Sequence, residues 1–165
     1  MGAIVALEIM RRAPERVERL ALLSANARGS TPENLSAWQS WESSTLTRRF
    51  DEVLCAVAGW LHSDHKIELE PTVKIMGERV GEEAFLRQLE ILRSRVDSRQ
   101  DLAVMACSTL LIAGRQDPAT PVALHEEMVQ MLPSAELVII EKCGHYSPLE
   151  RPEAVTEALR KWLGG

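Results

Sequence analysis

The sequence is poor in cysteine, and its cysteines are not spaced as a disulfide or zinc framework. It has three of them, an odd number, at the widely separated positions Cys55, Cys107 and Cys143. No CxxC pair occurs, although such a pair usually begins a structural zinc site. His62 and His65 lie near Asp64, but no third ligand follows them at a fixed spacing. We therefore expect reduced thiols in a cytoplasmic protein, with no metal and no cofactor.

Long apolar runs and an excess of basic charge are also missing. The longest apolar stretches, such as residues 20–23 and 109–113, are far shorter than the roughly 20 residues that a membrane-spanning helix needs. The first residues lack the charged start and apolar stretch of a signal peptide. Lysine and arginine total 19 against 24 aspartates and glutamates, and the two signs are interspersed. We therefore expect neither a membrane nor a nucleic acid as a partner.

Apolar patterning in the first and last parts of the chain predicts alternating strands and helices. The 165 residues, 45% of them hydrophobic, suffice for one domain of ordinary size. Short apolar runs typical of buried strands lie at residues 17–24, 109–113 and 136–140. Apolar residues at helical spacing predict helices over residues 3–12, 101–105, 122–131 and 153–163. This alternation indicates an α/β fold with three mainly parallel strands and flanking helices.

The middle of the sequence has no strong strand pattern. Trp38 and Trp41 suit one helix, Val53 and Trp60 suit a second, and residues 82–95 suit a third. A helical insertion between two α/β stretches is typical of a cap over a binding site. We therefore divide the chain into an initial helix and strand over residues 1–30, a helical cap over 31–100, and a C-terminal α/β part over 101–165.

Two residues with acid–base chemistry directly follow predicted strands. Asp117 lies in the turn-rich loop after the second strand, and His145 follows the third strand behind Gly144. Because ligands of open parallel sheets bind beyond the carboxyl ends of the strands, these two loops should meet. A carboxylate that accepts the proton on one imidazole nitrogen leaves the other nitrogen available as a base.

Each of these residues also has an ordinary structural interpretation. An aspartate among prolines is often only a turn residue, and a histidine after a glycine is often only a surface loop residue. The placement of both at neighbouring strand ends keeps the catalytic interpretation open beside the structural one. His125, on the helix after Asp117, is expected to face solvent or neighbouring glutamates and to be structural.

Two segments carry a family resemblance. GRQDPATP, followed by LVIIEKCGHYSPLERPEAVTEALRKWL, resembles the C-terminal signature of α/β-hydrolases, and the resemblance extends over essentially the whole chain. It implies that Asp117 is the acid and His145 the base of a catalytic triad, under a helical cap. The pattern is most similar to small bacterial carboxylesterases and to enol-lactone or thioester hydrolases.

The start of the chain resembles the end of that family's nucleophile elbow, G-x-S-x-G. Met1 would stand directly after the nucleophile and supply one backbone N–H of the oxyanion hole, so the serine itself would precede the chain. A methionine there is typical of family members with a serine nucleophile, whereas members with an aspartate nucleophile more often have tryptophan.

The resemblance implies hydrolysis of a small-molecule carboxylic ester, lactone or thioester by a Ser-His-Asp triad whose serine this chain lacks. The alternatives are a catalytically inactive fragment, a binding module, or a half-enzyme that needs a partner chain. Without the strand that precedes the elbow, residues 20–23 would form an exposed apolar strand edge, and self-association through that edge is expected.

Overall fold

A computed structural model describes residues 1–164 of the chain. The three strands are β1 (Arg19–Leu23), β2 (Ser108–Gly114) and β3 (Ala135–Ile140). The helices before β2 are α1 (Gly2–Arg12), α2 (Pro32–Leu46), α3 (Phe50–Ala58), α4 (Ser63–Val80), α5 (Glu82–Ser94) and the short α6 (Arg99–Leu102). The helices after β2 are α7 (Val122–Met131), the short α8 (Ser147–Glu150) and α9 (Pro152–Gly164).

The strands form one parallel sheet in the order β1-β2-β3. Six of the seven residues of the central strand β2 are buried because helices cover both of its faces. Leu111 packs into a cluster with residues of α1 and α7, whereas Leu110 and Ile112 pack against α9. Each fully buried leucine of this kind contributes about 1.5–3 kcal/mol, so the sheet and these helices form the main core.

This architecture confirms the predicted α/β class, with three parallel strands, flanking helices and a helical insertion between β1 and β2. The boundaries of residues 31–100 as a separate cap unit stay a prediction. None of the helices in the described part of the chain combines the length and apolar composition that a membrane crossing needs.

The insertion differs from the predicted one in two places. The 18-residue helix α4 was not predicted, because Val73 is its one buried residue and Ile67 is 95% exposed, so it has little apolar periodicity. The helix expected around Val53 and Trp60 ends earlier, at Ala58, and Gly59 follows it. Trp60 therefore lies in a turn, where its backbone carbonyl is available to other segments.

The expectation that His125 faces solvent is wrong. Its ring is fully buried beneath the ends of β1 and β2. Its Nε2 accepts a hydrogen bond from the backbone N–H of Ala25 at 2.9 Å, and its Nδ1 lies 3.4 Å from the carbonyl oxygen of Pro121. This network assigns a neutral ring, with the proton on Nδ1. His125 is structural, as expected, but as a buried connection between β1 and α7.

Because His125 is buried as a neutral ring, we expect acid to destabilise the protein. Burial lowers the pKa of His125 from its usual 6.5, so the unfolded chain binds the proton at a higher pH than the folded chain does. Stability should therefore fall as the pH drops below about 6.5, down to the folded-state pKa. Thermal unfolding followed by circular dichroism between about pH 5 and pH 8 measures this. The variant His125→Gln should show a flatter profile over that range, and equal slopes for both proteins would contradict the assignment.

Candidate active site

Asp117 lies in the loop after β2 and is held by four hydrogen-bond donors. Its Oδ1 accepts the backbone N–H groups of Ala119 at 2.8 Å and Thr120 at 2.9 Å. Its Oδ2 accepts the Thr120 hydroxyl at 2.6 Å and Nδ1 of His145 at 2.8 Å. A hydrogen bond to a charged group contributes about 1.5–3 kcal/mol, so four of them offset the several kcal/mol that burying a carboxylate costs.

The charge state of Asp117 follows from a competition between burial and hydrogen bonding. The Asp117 residue is only 3% exposed, and burial alone would raise the pKa of its carboxyl group. The hydrogen bond and positive charge of His145, with the Thr120 donors, outweigh burial and hold the pKa of Asp117 below its usual value. Asp117 is therefore an ionised acceptor at neutral pH and stabilises a protonated His145 ring.

His145 is oriented through Nδ1 and leaves its second nitrogen without a partner. Its side chain is 23% exposed, in contrast to the fully buried side chain of Asp117. The side-chain hydrogen bonds of the ring run from Nδ1 to Asp117 and Thr120, and within residues 1–164 none reaches Nε2. An imidazole fixed by a carboxylate, with its other nitrogen unpaired, is the arrangement of a general base.

Two glycines allow close backbone approaches at this site: Gly114 lets the Asp117 loop touch the His145 loop, and Gly144 lets the His145 loop touch the turn after α3. A Cβ atom on Gly114 would lie 2.1 Å from the carbonyl oxygen of Gly144, and a Cβ on Gly144 would lie 2.1 Å from the carbonyl oxygen of Trp60. Between the loops, Gln116 donates its backbone N–H to the Cys143 carbonyl at 2.9 Å and accepts the Cys143 N–H on its side chain at 3.0 Å. The loops therefore meet in a fixed register, as the strand-end rule predicts.

The turn after α3 contacts the His145 loop directly. The backbone N–H of His145 donates to the Trp60 carbonyl at 3.0 Å, and the Tyr146 hydroxyl donates to the Val57 carbonyl at 3.0 Å. The Trp60 and His145 rings lie 5.2 Å apart, centroid to centroid, at an angle of 71°. The sequence placed Trp60 inside a helix, so these contacts were not predicted.

The loop after β1 also contributes a residue, Ser24, that was not predicted. Its hydroxyl donates to the backbone carbonyl of His145 at 2.9 Å. Its φ of +49° lies in the left-handed region, which costs a residue with a side chain about 1 kcal/mol or more. The loops after β1 and β2 therefore both contact His145, which lies in the loop after β3. Neither feature could be predicted from the sequence, because serine has no special preference for a positive φ and because the contact joins residues 121 positions apart.

The other hydroxyl and thiol groups near His145 are not arranged as nucleophiles. Cys143 is fully buried, and burial raises the pKa of its thiol to about 12. Ser147 is also fully buried, and its hydroxyl has no hydrogen-bond partner among the described residues. The Ser24 hydroxyl already donates to a carbonyl. None of these side chains forms a hydrogen bond with Nε2 of His145.

Met1 stands at the N-cap of α1, where its carbonyl accepts the N–H of Ile4 at 3.0 Å. Burial, with the nearby charge of Arg95, lowers the pKa of its amino group. No hydrogen bond joins Met1 to Asp117 or His145 in the described part of the chain, and its role in an oxyanion hole stays a prediction.

His62 accepts the Asp64 N–H on Nδ1, and no group of three potential metal ligands occurs among residues 1–164.

A groove of about 770 Å³ lies between α1 and the end of α5. Exposed apolar side chains of both helices, including Ile9 of α1 and Ile91 of α5, line it, together with Arg95. Neither Asp117 nor His145 lines it. A substrate class is therefore better inferred from the acid–base pair than from the shape of this groove.

Comparison with known proteins identifies relatives over nearly the whole chain. A sequence model described as "Alpha/beta hydrolase family" matches residues 1–158. A pimeloyl-[acyl-carrier protein] methyl ester esterase of Nitrosomonas europaea is 29% identical over 93% of this chain and 64% of its own length. A 2-hydroxymuconate semialdehyde hydrolase of Pseudomonas putida is 28% identical over 98% of this chain and 59% of its own length. The chain thus spans about two thirds of these relatives or less.

Comparison with solved structures also identifies hydrolases that superimpose on nearly the whole chain. An esterase from Thermogutta terrifontis superimposes with a TM-score of 0.92 at 24% identity, covering 99% of this chain and 61% of that one, which shows a shared fold. An enol-lactonase from Burkholderia xenovorans superimposes with a TM-score of 0.85 at 26% identity, covering 100% of this chain and 63% of that one. With the family match over residues 1–158, these likenesses show that the chain belongs to the alpha/beta hydrolase family.

Proposed function

We propose that Asp117 and His145 are the acid and the base of a Ser-His-Asp triad that hydrolyses an ester-like bond: a carboxylic ester, a lactone or a thioester. The observation that carries the proposal is the 2.8 Å hydrogen bond from His145 Nδ1 to a buried, ionised Asp117, with Nε2 unpaired. The serine comes from outside the 165 residues. It belongs either to an upstream segment of the same gene or to a partner chain.

In this mechanism, Nε2 of His145 takes the proton of the serine hydroxyl as the oxygen attacks the substrate carbonyl. Asp117 stabilises the resulting imidazolium through Nδ1. Backbone N–H groups, one of them from Met1, stabilise the oxyanion. The imidazolium then protonates the departing alcohol or thiol and leaves an acyl-serine. Water, deprotonated by the same Nε2, releases the acid and regenerates the serine.

The names of the relatives support the substrate class only at this level. One is a methyl ester esterase and another an enol-lactonase, and both bonds are attacked at an acyl carbon. The 2-hydroxymuconate semialdehyde hydrolase, at 28% identity, shows that a relative named for a different substrate matches the chain about as well. The proposal therefore covers the class of ester-like bonds and names no single substrate.

The second candidate is a binding module, or an inactive fragment, that keeps the fold without the chemistry. The observation that favours it is the lack, among residues 1–164, of a serine or cysteine side chain hydrogen-bonded to Nε2 of His145: Cys143 and Ser147 are buried, and the Ser24 hydroxyl donates to a carbonyl. A half-enzyme completed by a partner chain differs from this candidate because mixing with the partner would produce turnover.

The DNA that precedes the Met1 codon distinguishes these candidates. We expect an open frame of about 80–100 residues with α/β pattern, ending in Gly-x-Ser just before Met1. We call the product of that extended frame the serine-bearing protein, and it should hydrolyse p-nitrophenyl esters. An in-frame stop codon directly upstream, with no partner restoring turnover, would favour the binding module.

We also propose that the 165-residue chain self-associates. Within the described residues β1 pairs only with β2, so the outer edge of its apolar run is unpaired, and the α1 side chains Val5 and Ile9 are 49% and 46% exposed. Light scattering coupled to size-exclusion chromatography should give a mass above that of one chain.

The variant Ile9→Lys should raise the monomer fraction of the 165-residue chain, because it places a charge on this apolar surface. Val104→Lys serves as the matched control, because Val104 is 79% exposed and does not line the groove beside α1. A monomer at all concentrations would contradict the proposal.

A further inference from the structure

Glu150 is a buried carboxylate that the proposed chemistry does not use. It ends the short helix α8 and is 4% exposed. Its Oε2 accepts the backbone N–H groups of His62 at 2.8 Å and Gly144 at 3.0 Å, and its Oε1 accepts the N–H of Tyr146 at 3.0 Å. No lysine or arginine within residues 1–164 forms an ion pair with it. Both oxygens of Glu150 are therefore committed to backbone amides.

The three donors belong to two segments that are far apart in sequence. Gly144 and Tyr146 are the immediate neighbours of His145, whereas His62 is the N-cap of α4 in the helical insertion. One carboxylate oxygen, Oε2, joins the two segments because it accepts the N–H groups of both His62 and Gly144. His62 and Glu150 are 88 residues apart in sequence. A displacement of either segment would leave a buried carboxylate with a missing donor, which is strongly unfavourable.

The backbone of His145 is fixed between these contacts. Its N–H donates to the Trp60 carbonyl at 3.0 Å, and its carbonyl accepts the Ser24 hydroxyl at 2.9 Å. The N–H groups on both sides of it donate to Glu150. The direction of the imidazole therefore depends on the insertion as much as on Asp117.

We infer that Glu150 is a positioning residue that couples the helical insertion to His145, so that the two move as one unit and Nε2 keeps its direction. This inference rests on the proposed function of His145 as the base. Glu150 does not touch the reacting atoms, and its effect reaches the chemistry through the backbone of residues 144–146.

Amide hydrogen exchange of the unsubstituted 165-residue chain tests the coupling without any variant. After correction for intrinsic rates, the amides of His62, Gly144 and Tyr146 should exchange in one common opening. The inference is overturned if His62 exchanges more than about tenfold faster than Gly144 and Tyr146, because the insertion would then open without the His145 loop.

Substitution in the serine-bearing protein tests the consequence for catalysis. Glu150→Gln keeps the size but turns one acceptor into a donor, so that it opposes an N–H group. We expect kcat for p-nitrophenyl esters to fall about 10²-fold, the size expected for a misplaced catalytic group, with a smaller change in KM. Glu150→Asp, which keeps both acceptors on a shorter side chain, should recover part of kcat. Glu157→Gln, on the exposed face of α9, should behave as wild type.

The downfield N–H proton resonance of the His145–Asp117 hydrogen bond provides a readout that a purely structural role of Glu150 would not change. It should broaden or shift in Glu150→Gln at temperatures where circular dichroism shows the protein folded. Wild-type kcat and an unchanged resonance in Glu150→Gln would refute the positioning role. If His145→Ala itself retains activity, the proposed function fails instead, so the two failures are distinguishable.

Discussion

Asp117→Asn is expected to lower ester turnover by the serine-bearing protein about 10⁴-fold, the loss seen when the carboxylate of a serine-hydrolase triad becomes an amide. Asp117 accepts four donors with two ionised oxygens, and an amide can satisfy only part of that set. The amide nitrogen would repel the Nδ1 proton or impose the wrong tautomer on His145. Nε2 would then carry the proton and could not act as the base.

Steady-state kinetics with a p-nitrophenyl ester measures the effect of Asp117→Asn. The matched control is Asp51→Asn, because Asp51 is an exposed carboxylate in the first turn of α3 and forms no hydrogen bond with Asp117 or His145. Circular dichroism checks that Asp117→Asn remains folded at the assay temperature. A folded Asp117→Asn protein within tenfold of wild-type kcat would remove Asp117 from the proposed mechanism.

The 165-residue chain by itself is expected to hydrolyse esters about 10⁶-fold more slowly than the serine-bearing protein, the loss that follows removal of a triad nucleophile. The physical reason lies around Nε2 of His145. Cys143 is fully buried with a pKa raised to about 12, Ser147 is fully buried, and the Ser24 hydroxyl donates elsewhere. No group in this set can pass a proton to Nε2 while it attacks a carbonyl.

Turnover by highly purified chain, compared with the same preparation of His145→Ala, checks this expectation. Equal background rates for the two proteins are the predicted result. Turnover of ester by the wild-type chain but not by His145→Ala would contradict the expectation. Ser24→Ala, Cys143→Ala and Ser147→Ala would then show whether one of these side chains is the nucleophile or whether His145 activates water directly.

Much of the sheet could be predicted because its strands are continuous apolar runs. β2 and β3 were predicted to within one or two residues at each end, and α7 was predicted exactly, since Pro121 and Pro133 bracket its pattern. Asp117 and His145 were selected first by a general rule for parallel sheets and then by the resemblance of the segments that contain them to the C-terminal signature of α/β-hydrolases. The close approach of their loops depends on Gly114, and the approach of the turn after α3 to the His145 loop depends on Gly144; both glycines are visible in the sequence.

The remaining features depend on contacts between distant segments, which no local pattern encodes. Glu150 lies in the segment that resembles the α/β-hydrolase signature, yet nothing local in that segment indicates that the fold buries it against His62. His125 has glutamates beside it in sequence, and its burial results from the approach of Ala25, 100 residues away. α4 escaped detection because an exposed helix has no apolar stripe. Local periodicity predicts helices and strands, whereas the buried positions of Glu150 and His125 result from the packing of distant segments.

The central claim is that His145, oriented by Asp117, is the base of a serine nucleophile. Labelling of the serine-bearing protein with a fluorophosphonate, followed by mass spectrometry of the labelled peptide, tests it most directly. We predict a single adduct on the serine of the Gly-x-Ser that immediately precedes Met1, formed rapidly in the wild type and abolished in His145→Ala. Labelling at an undiminished rate in His145→Ala, or no labelling of that serine, would contradict the claim.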